Sequence, residues 1–338
     1  MGLSPRRGLI AAVAAYVIWG LFPLFWRLLG DLDPLEVVCH RIVWSAVMLT
    51  LIVGGPRWLR RGTVSRQKLA TTAEIGLAPT THDHGPLVAA APRPSGLSRH
   101  QWSNAAAAAA VIVINWLAFI WAVNNDRVLE SALGYYIAPL VSVALGVVVL
   151  SERLSRWQWI ATALAMIGVA LIGSASRSIP WAALAMAFSF ATYGLVKKHS
   201  TVPPLFGLWM ENAVLFLPAM IYLVIGAEGS GVMGRVDRTT DSLLVLGGIV
   251  TVPPLMLFAM AARVVPLATI GMLQYIAPTL QFLLGVGIAG ERLNVTGLIG
   301  FGFVWAGSLL YLTASHRRYR RRAADIARGA GSKIEPLG

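Results

Sequence analysis

Residues 130–154 read ESALGYYIAPLVSVALGVVVLSERL, and residues 269–293 read TIGMLQYIAPTLQFLLGVGIAGERL. Tyr136-Ile137-Ala138-Pro139 falls on Tyr275-Ile276-Ala277-Pro278, and Glu152-Arg153-Leu154 falls on Glu291-Arg292-Leu293, at one constant offset of 139 without a gap. The second stretch is therefore a duplicate of the first. From Ser131 and from Thr269 each copy is uncharged until its closing Glu-Arg pair, is long enough to cross a bilayer, and carries a Pro near its middle. A Pro deprives a helix of one hydrogen bond, and freed carbonyls inside a membrane are tolerated where they line a cavity. Paired Pro-interrupted apolar segments in the two halves of a chain thus point to a transporter's binding site.

The rest of the composition agrees with a bilayer. The chain has 338 residues, of which 57% are hydrophobic and only 13% charged, and its mean hydropathy is +0.68. These values lie outside the range of water-soluble domains. Apolar runs predict ten spans, at 9–30, 35–55, 104–124, 129–150, 156–174, 179–197, 206–226, 241–261, 266–290 and 295–314, which leaves no room for a separate soluble domain. The first run, Leu9 to Leu29, is too long for a cleavable signal core. Cys39, the sole cysteine, excludes an internal disulfide and a cysteine metal cluster.

Charge sets the expected orientation. With both termini inside, the inner segments hold Arg6 and Arg7, seven Lys/Arg from Arg57 to Arg99, Arg153 and Arg156, Lys197 and Lys198, Arg263, and seven from Arg317 to Lys333, 21 in all. The outer loops hold the five residues Arg127, Arg177, Arg235, Arg238 and Arg292. The net charge of +13 is thus segregated by loop. It reads as membrane topology and not as a nucleic-acid surface.

Five spans per copy is an odd number, so the copies are expected to be inverted about an axis in the membrane plane. Phe119 and Ala122 fall on Phe258 and Ala261, and Gly146 and Gly168 on Gly285 and Gly307, at the same offset of 139. Earlier in each half Gly20-Leu21 matches Gly194-Leu195 at 174, which places about 35 extra residues in the first half. The Ala/Pro-rich stretch Ala73–Ser103 accounts for them and reads as a disordered cytoplasmic loop. His82-Asp83-His84 inside it lacks a third ligand and is given no metal role.

Polar residues within spans mark candidate site positions. Tyr135, Pro139, Ser142 and Gly146 share one helix face, and their repeat partners are Gln274, Pro278, Gln281 and Gly285. Glycine on such a face fits close helix packing, whereas Tyr and Gln fit a cavity, because a polar group facing lipid is costly. Tyr136 and Tyr275 sit beside this face. The second span holds His40-Arg41 and Trp44-Ser45; Arg41 either faces a solute or snorkels to the interface. Glu211-Asn212 interrupts the seventh span, about 10 Å from Arg41 in depth by helical rise. Asn115 and Trp116 lie deep in the third span, and Trp121, nearer its end, has the position of an interface anchor.

Trp19-Gly20, HRIVWS at 40–45, NWLAFIWAVNN at 115–125, SALGYYIAPLVSVALG with SERL, and QYIAPTLQFLLGV with GERL together resemble the drug/metabolite transporter superfamily, specifically its ten-span EamA-repeat proteins of the RarD type, the chloramphenicol-sensitive protein family. The resemblance runs from about Arg7 to Leu312 and leaves out 73–103 and the basic tail. It implies an all-α polytopic membrane protein of ten transmembrane helices in two inverted five-helix EamA-type repeats, 7–174 (with a cytoplasmic loop about 56–103) and 179–314, followed by a basic tail at 315–338.

The function expected is secondary transport of a small metabolite or drug-like solute, most simply export, across a bacterial inner membrane with both termini cytoplasmic. His40, Arg41, Trp44, Asn115, Trp116, Tyr135, Tyr136, Ser142, Gln274, Tyr275 and Gln281 are the expected solute-binding residues and Glu211 the coupling residue. The expected partners are the solute, membrane lipid and a coupling proton or counter-solute, with no nucleic acid, cofactor or metal; the oligomeric state is open. No Walker, zincin or nucleophile-elbow motif is present in the sequence, which argues against an ATPase or a hydrolase. A non-transporting sensor or accessory protein, or a membrane enzyme on the same scaffold, stays open as the alternative.

Overall fold

The computed structural model describes residues 4–29, 32–67, 97–125, 128–174, 181–226, 233–234, 237–287 and 295–331. Eleven α-helices follow in chain order: α1 Pro5–Trp26, α2 Pro34–Gln67, α3 Arg99–Asn124, α4 Val128–Val148, α5 Arg156–Gly173, α6 Trp181–His199, α7 Pro204–Ile221, α8 Arg238–Val264, α9 Leu267–Gln274, α10 Ile276–Gly287 and α11 Val295–Gly331. A short 3-10 turn follows α1, and a π-helical turn, Tyr222–Gly226, follows α7. Among the described residues, eight helical segments, α9 and α10 forming one of them, are long and apolar enough to cross a membrane, and Leu133–Val148 of α4 is a shorter apolar helix. The chain is an all-α, multi-pass membrane protein.

Local chemistry explains where the helices start. Pro5, Pro34 and Pro204 occupy first helical positions, where a missing N–H costs nothing. Asp33 caps α2 by accepting from the Glu36 N–H at 3.3 Å, and Asp237 caps α8 by accepting from the Thr240 N–H at 2.8 Å. Ser155 and Gln158 form a reciprocal capping box at α5, and Ser98 and Gln101 do the same for α3. The second box makes α3 begin at Arg99, so the end of the stretch expected to be loop is helical. Residues 68–96, with His82-Asp83-His84, and Glu291-Arg292 lie outside the described residues.

The two copies differ at their prolines. In the second, the helix breaks at Tyr275, between α9 and α10, as expected for a Pro-interrupted segment. In the first, α4 runs unbroken through Pro139, because losing one hydrogen bond does not end a helix whose flanking turns are packed.

The chain divides into two compact units, and each takes helices from both halves of the sequence. One comprises residues 1–25, 111–198 and 257–338. Its core gathers Leu133, Tyr136 and Val143 of α4, Ala161, Ala165 and Val169 of α5, Ala268 and Met272 of α9, and Phe301, Val304 and Tyr311 of α11. Helices α5 and α11 run antiparallel at backbone contact. A Cβ on Gly168 would lie 2.5 Å from the Gly300 carbonyl and 2.9 Å from the Val304 nitrogen, and a Cβ on Gly307 would lie 2.6 Å from the Ala161 carbonyl and 3.0 Å from the Ala165 nitrogen. At the offset of 139, Gly168, Ala161 and Ala165 are the counterparts of Gly307, Gly300 and Val304. Each contact is thus the image of the other, the signature of a two-fold axis at this seam.

The other unit comprises residues 26–110 and 199–256. Here α2 packs on α7, with the Trp209 indole N–H donating to Thr50 Oγ1 at 3.0 Å. Gly248 of α8 lets α2 approach so closely that a Cβ there would lie 2.4 Å from the Trp44 Cβ, and the Ser45 hydroxyl donates to the Gly248 carbonyl at 2.8 Å. Ala105, Val202, Phe206 and Met210 form its core.

Candidate functional site

The expected site residues fall into these two units. His40, Arg41, Trp44 and Glu211 belong to the second unit described, and the other eight to the first. Within residues 26–110 and 199–256, His40 is buried with its Nε2 3.8 Å from Glu36 Oε1. The Arg41 guanidinium lies 5.8 Å from the ring centroid of Trp26, a cation–π distance. Trp44 Nε1 is buried and makes no hydrogen bond. Glu211 of α7 is 4% exposed and Asn212 is buried next to it. Asn212 satisfies its amide on the Leu208 carbonyl at 2.9 Å. Arg41 and Glu211 both take part in interactions within the fold. Taking Thr50 and Trp209 as level, their Cα positions differ in depth by about 10 Å at 1.5 Å per residue.

In the other unit the tyrosines of the two copies are tied together. Tyr275 donates its hydroxyl to the Tyr136 carbonyl at 3.1 Å, and the Tyr136 hydroxyl reaches the Pro278 carbonyl at 3.5 Å. Asn115 donates to the Met186 carbonyl at 2.8 Å, which fixes α3 on α6. Tyr135 packs against Phe119, with ring centroids 6.4 Å apart, and Trp116 is partly buried and engaged. Trp121 packs on Trp181 at 4.1 Å between centroids. Gln281 donates to the Trp19 carbonyl at 3.3 Å. Gln274 is buried, and its Oε1 has no hydrogen-bond partner.

The polar face of α4 is closely packed. Ser142 Cβ lies 2.7 Å from where a Cβ on Gly271 would stand, and a Cβ on Gly146 would lie 3.1 Å from the Ala268 nitrogen. The turn after α4 then delivers Glu152, whose carboxylate accepts from the Leu267 N–H at 2.6 Å and the Ala268 N–H at 3.0 Å, capping α9. Lys198 stands 4.0 Å from the same carboxylate and donates to the Val265 carbonyl at 2.7 Å.

Five aromatic residues absent from the expected site also converge in this unit. Tyr16 and Trp19 of α1 and Phe190 and Tyr193 of α6 surround Phe258, with centroid separations of 5.3–6.3 Å. Tyr16 and Trp19 fall on Phe190 and Tyr193 at the offset of 174 already carried by Gly20 and Gly194, so this doubled aromatic pair was visible as a repeat. The Tyr16 hydroxyl is buried without a hydrogen-bond partner. Among the described residues no group of three metal-ligating side chains occurs.

The comparisons with known proteins agree with this architecture. The EamA-like transporter family model matches residues 85–174, starting within the stretch that the sequence resemblance left out. A Protein RarD of Streptomyces exfoliatus is 40% identical over 96% of this chain and 94% of its own length. The chain belongs to the RarD-type branch of the EamA drug/metabolite transporters. A Protein RarD of Escherichia coli is 35% identical over 94% of this chain and 97% of that one, and an uncharacterized transporter of Pseudomonas aeruginosa is 37% identical over 94% and 96%. A crystal structure of a protein only 18% identical shares the fold, with a TM-score of 0.64 over 92% of this chain and 99% of that one. This transporter is accordingly a multi-pass bacterial membrane protein.

Proposed function

We propose that this transporter is a secondary exporter of a small amphipathic or zwitterionic metabolite, working by alternating access between two inverted repeats, 7–174 and 179–314, in the bacterial inner membrane with both termini cytoplasmic. The observation that carries the reading is the pair of buried polar atoms without hydrogen-bond partners in the unit of residues 1–25, 111–198 and 257–338, the Tyr16 hydroxyl and Gln274 Oε1. A buried unsatisfied polar group costs about 1–3 kcal/mol, and a polar solute or water entering during the cycle removes that cost. The doubled aromatic pairs supply apolar faces for the rest of such a solute.

Arg41 serves as the anchor for a carboxylate or phosphate of the solute, since a guanidinium within a span seeks an anion. His40 and Trp44 are the solute-binding residues beside Arg41 in the unit of residues 26–110 and 199–256, and Asn115, Trp116, Tyr135, Tyr136, Ser142, Gln274, Tyr275 and Gln281 are those of the other unit. Glu211, buried in α7, is the group that exchanges a proton or responds to a counter-solute. Thermal stabilisation of the purified protein against a metabolite panel identifies the ligand, because binding to the folded state alone raises apparent stability. Counterflow of that ligand in proteoliposomes then separates a transporter from a sensor, which binds without moving it, and from an enzyme, which changes it chemically.

A further inference from the structure

We infer that the membrane-facing end of the α5–α11 pair is a binding site for one anionic diacyl phospholipid, with the headgroup phosphate held by Arg153, Arg156, Arg317 and Arg318. These arginines cluster where the α5 span starts and the α11 span ends. Arg318 donates to the Arg153 carbonyl, and the Gln158 amide donates to Ser315 Oγ at 2.9 Å, so both helix ends lie at one level. Among the described residues no carboxylate pairs with any of the four. Glu152, the acid nearest in sequence, is turned away into the start of α9.

Below the arginines the surface changes character at helical spacing. Trp157 and Trp159 are 50% and 52% exposed, and Ile160, Met166 and Ile167 continue the exposed face of α5 toward the middle of the span. Arg156 stands 5.6 Å from the centroid of the Trp157 ring. A positive cluster with no carboxylate paired to it among the described residues, indoles at headgroup depth and an apolar stripe beneath them match an anionic headgroup, its glycerol region and its acyl chains in that order. The glycine seam locks α5 to α11, so Arg156, Arg317 and Arg318 are presented by a packed helix pair, and Arg153, in the turn before α5, is held to it by the Arg318 contact. Charge complementarity commits the site to an anionic lipid. A zwitterionic headgroup would bring a cation into the same cluster.

The test uses full-length purified protein in phosphatidylcholine micelles with or without phosphatidylglycerol, read by native mass spectrometry for retained lipid and by melting temperature. Wild type is expected to retain phosphatidylglycerol and to melt higher with it. Each of Arg153→Gln, Arg156→Gln and Arg317→Gln is expected to weaken retention about fivefold, and the triple variant on the order of a hundredfold. Arg6→Gln/Arg7→Gln, with charge removed elsewhere, is expected to retain the lipid as wild type does. Should the triple variant fail to fold, the single variants decide. Unchanged retention in the arginine variants, or an equal loss in Arg6→Gln/Arg7→Gln, overturns the site. Transport plays no part in either readout, so the inference fails or stands independently of the proposed export.

Discussion

Replacing Gly168 with Ala tests the two-fold seam of the fold most sharply. The added methyl would meet the Gly300 carbonyl at 2.5 Å, the Val304 side chain at 2.8 Å and the Val304 nitrogen at 2.9 Å. Two of these neighbours are backbone, so the helices themselves must separate. Ala gains about 1 kcal/mol over Gly in a helix, whereas forcing apart a closely packed pair costs typically 1–3 kcal/mol and more when backbone must move. In a bilayer the loss has no hydrophobic compensation, because helix association rests on close packing itself. The net expectation is a destabilisation of about 2 kcal/mol. Gly307→Ala should cost a similar amount through the Ala161 carbonyl at 2.6 Å. Gly302→Ala is the control on the same helix: nothing stands within 4 Å of a Cβ there, and the variant should be neutral or slightly stabilised. Denaturant unfolding of the purified protein in mild detergent measures all three. If Gly168→Ala is as stable as Gly302→Ala, the close α5–α11 approach is wrong.

Glu152→Ala removes a carboxylate that accepts two N–H groups of α9 and faces Lys198. A loss of about 3 kcal/mol is expected in the same unfolding measurement, and an unaltered midpoint would deny the cap. In a background lacking Cys39, Gln281→Cys should react faster with a small polar thiol reagent than Ser142→Cys, which is pressed on Gly271; the reverse order would mean that the α4 face is open to water. Reporter fusions after Lys68 and at the C-terminus should both register the cytoplasm, as the 21 to 5 charge split requires; an external signal from either contradicts the inverted-repeat topology.

Much of the architecture was legible because it rests on short-range pattern. The offset of 139 anticipated that Tyr136 and Tyr275 would be equivalent, and they meet through the Tyr275 hydroxyl. It also paired Gly168 with Gly307, whose contacts mirror each other. Span positions followed from apolar runs, but helix lengths did not: α2 runs to Gln67 and α11 to Gly331, past the expected ends at 55 and 314, and Ser98 and Gln101 start α3 within a stretch whose Ala/Pro composition reads as loop. Packing partners were less visible. Ser142 and Gln281 occupy equivalent positions in the two copies, yet one rests on Gly271 while the other donates to the Trp19 carbonyl, a difference of tertiary contact that the repeat pattern does not carry. Glu152 reads from sequence as the end of one helix. Its role as the cap of another, 115 residues later, depends on how α4 and α9 meet, and no local pattern encodes that.

The most direct measurement is transport of the ligand found by thermal stabilisation, in proteoliposomes holding wild type, Glu211→Gln or Arg41→Gln. Wild type should accumulate the solute when a pH gradient is imposed and exchange it when none is. Glu211→Gln should exchange without accumulating, and Arg41→Gln should lose binding itself. Binding by wild type with neither exchange nor accumulation would contradict secondary transport.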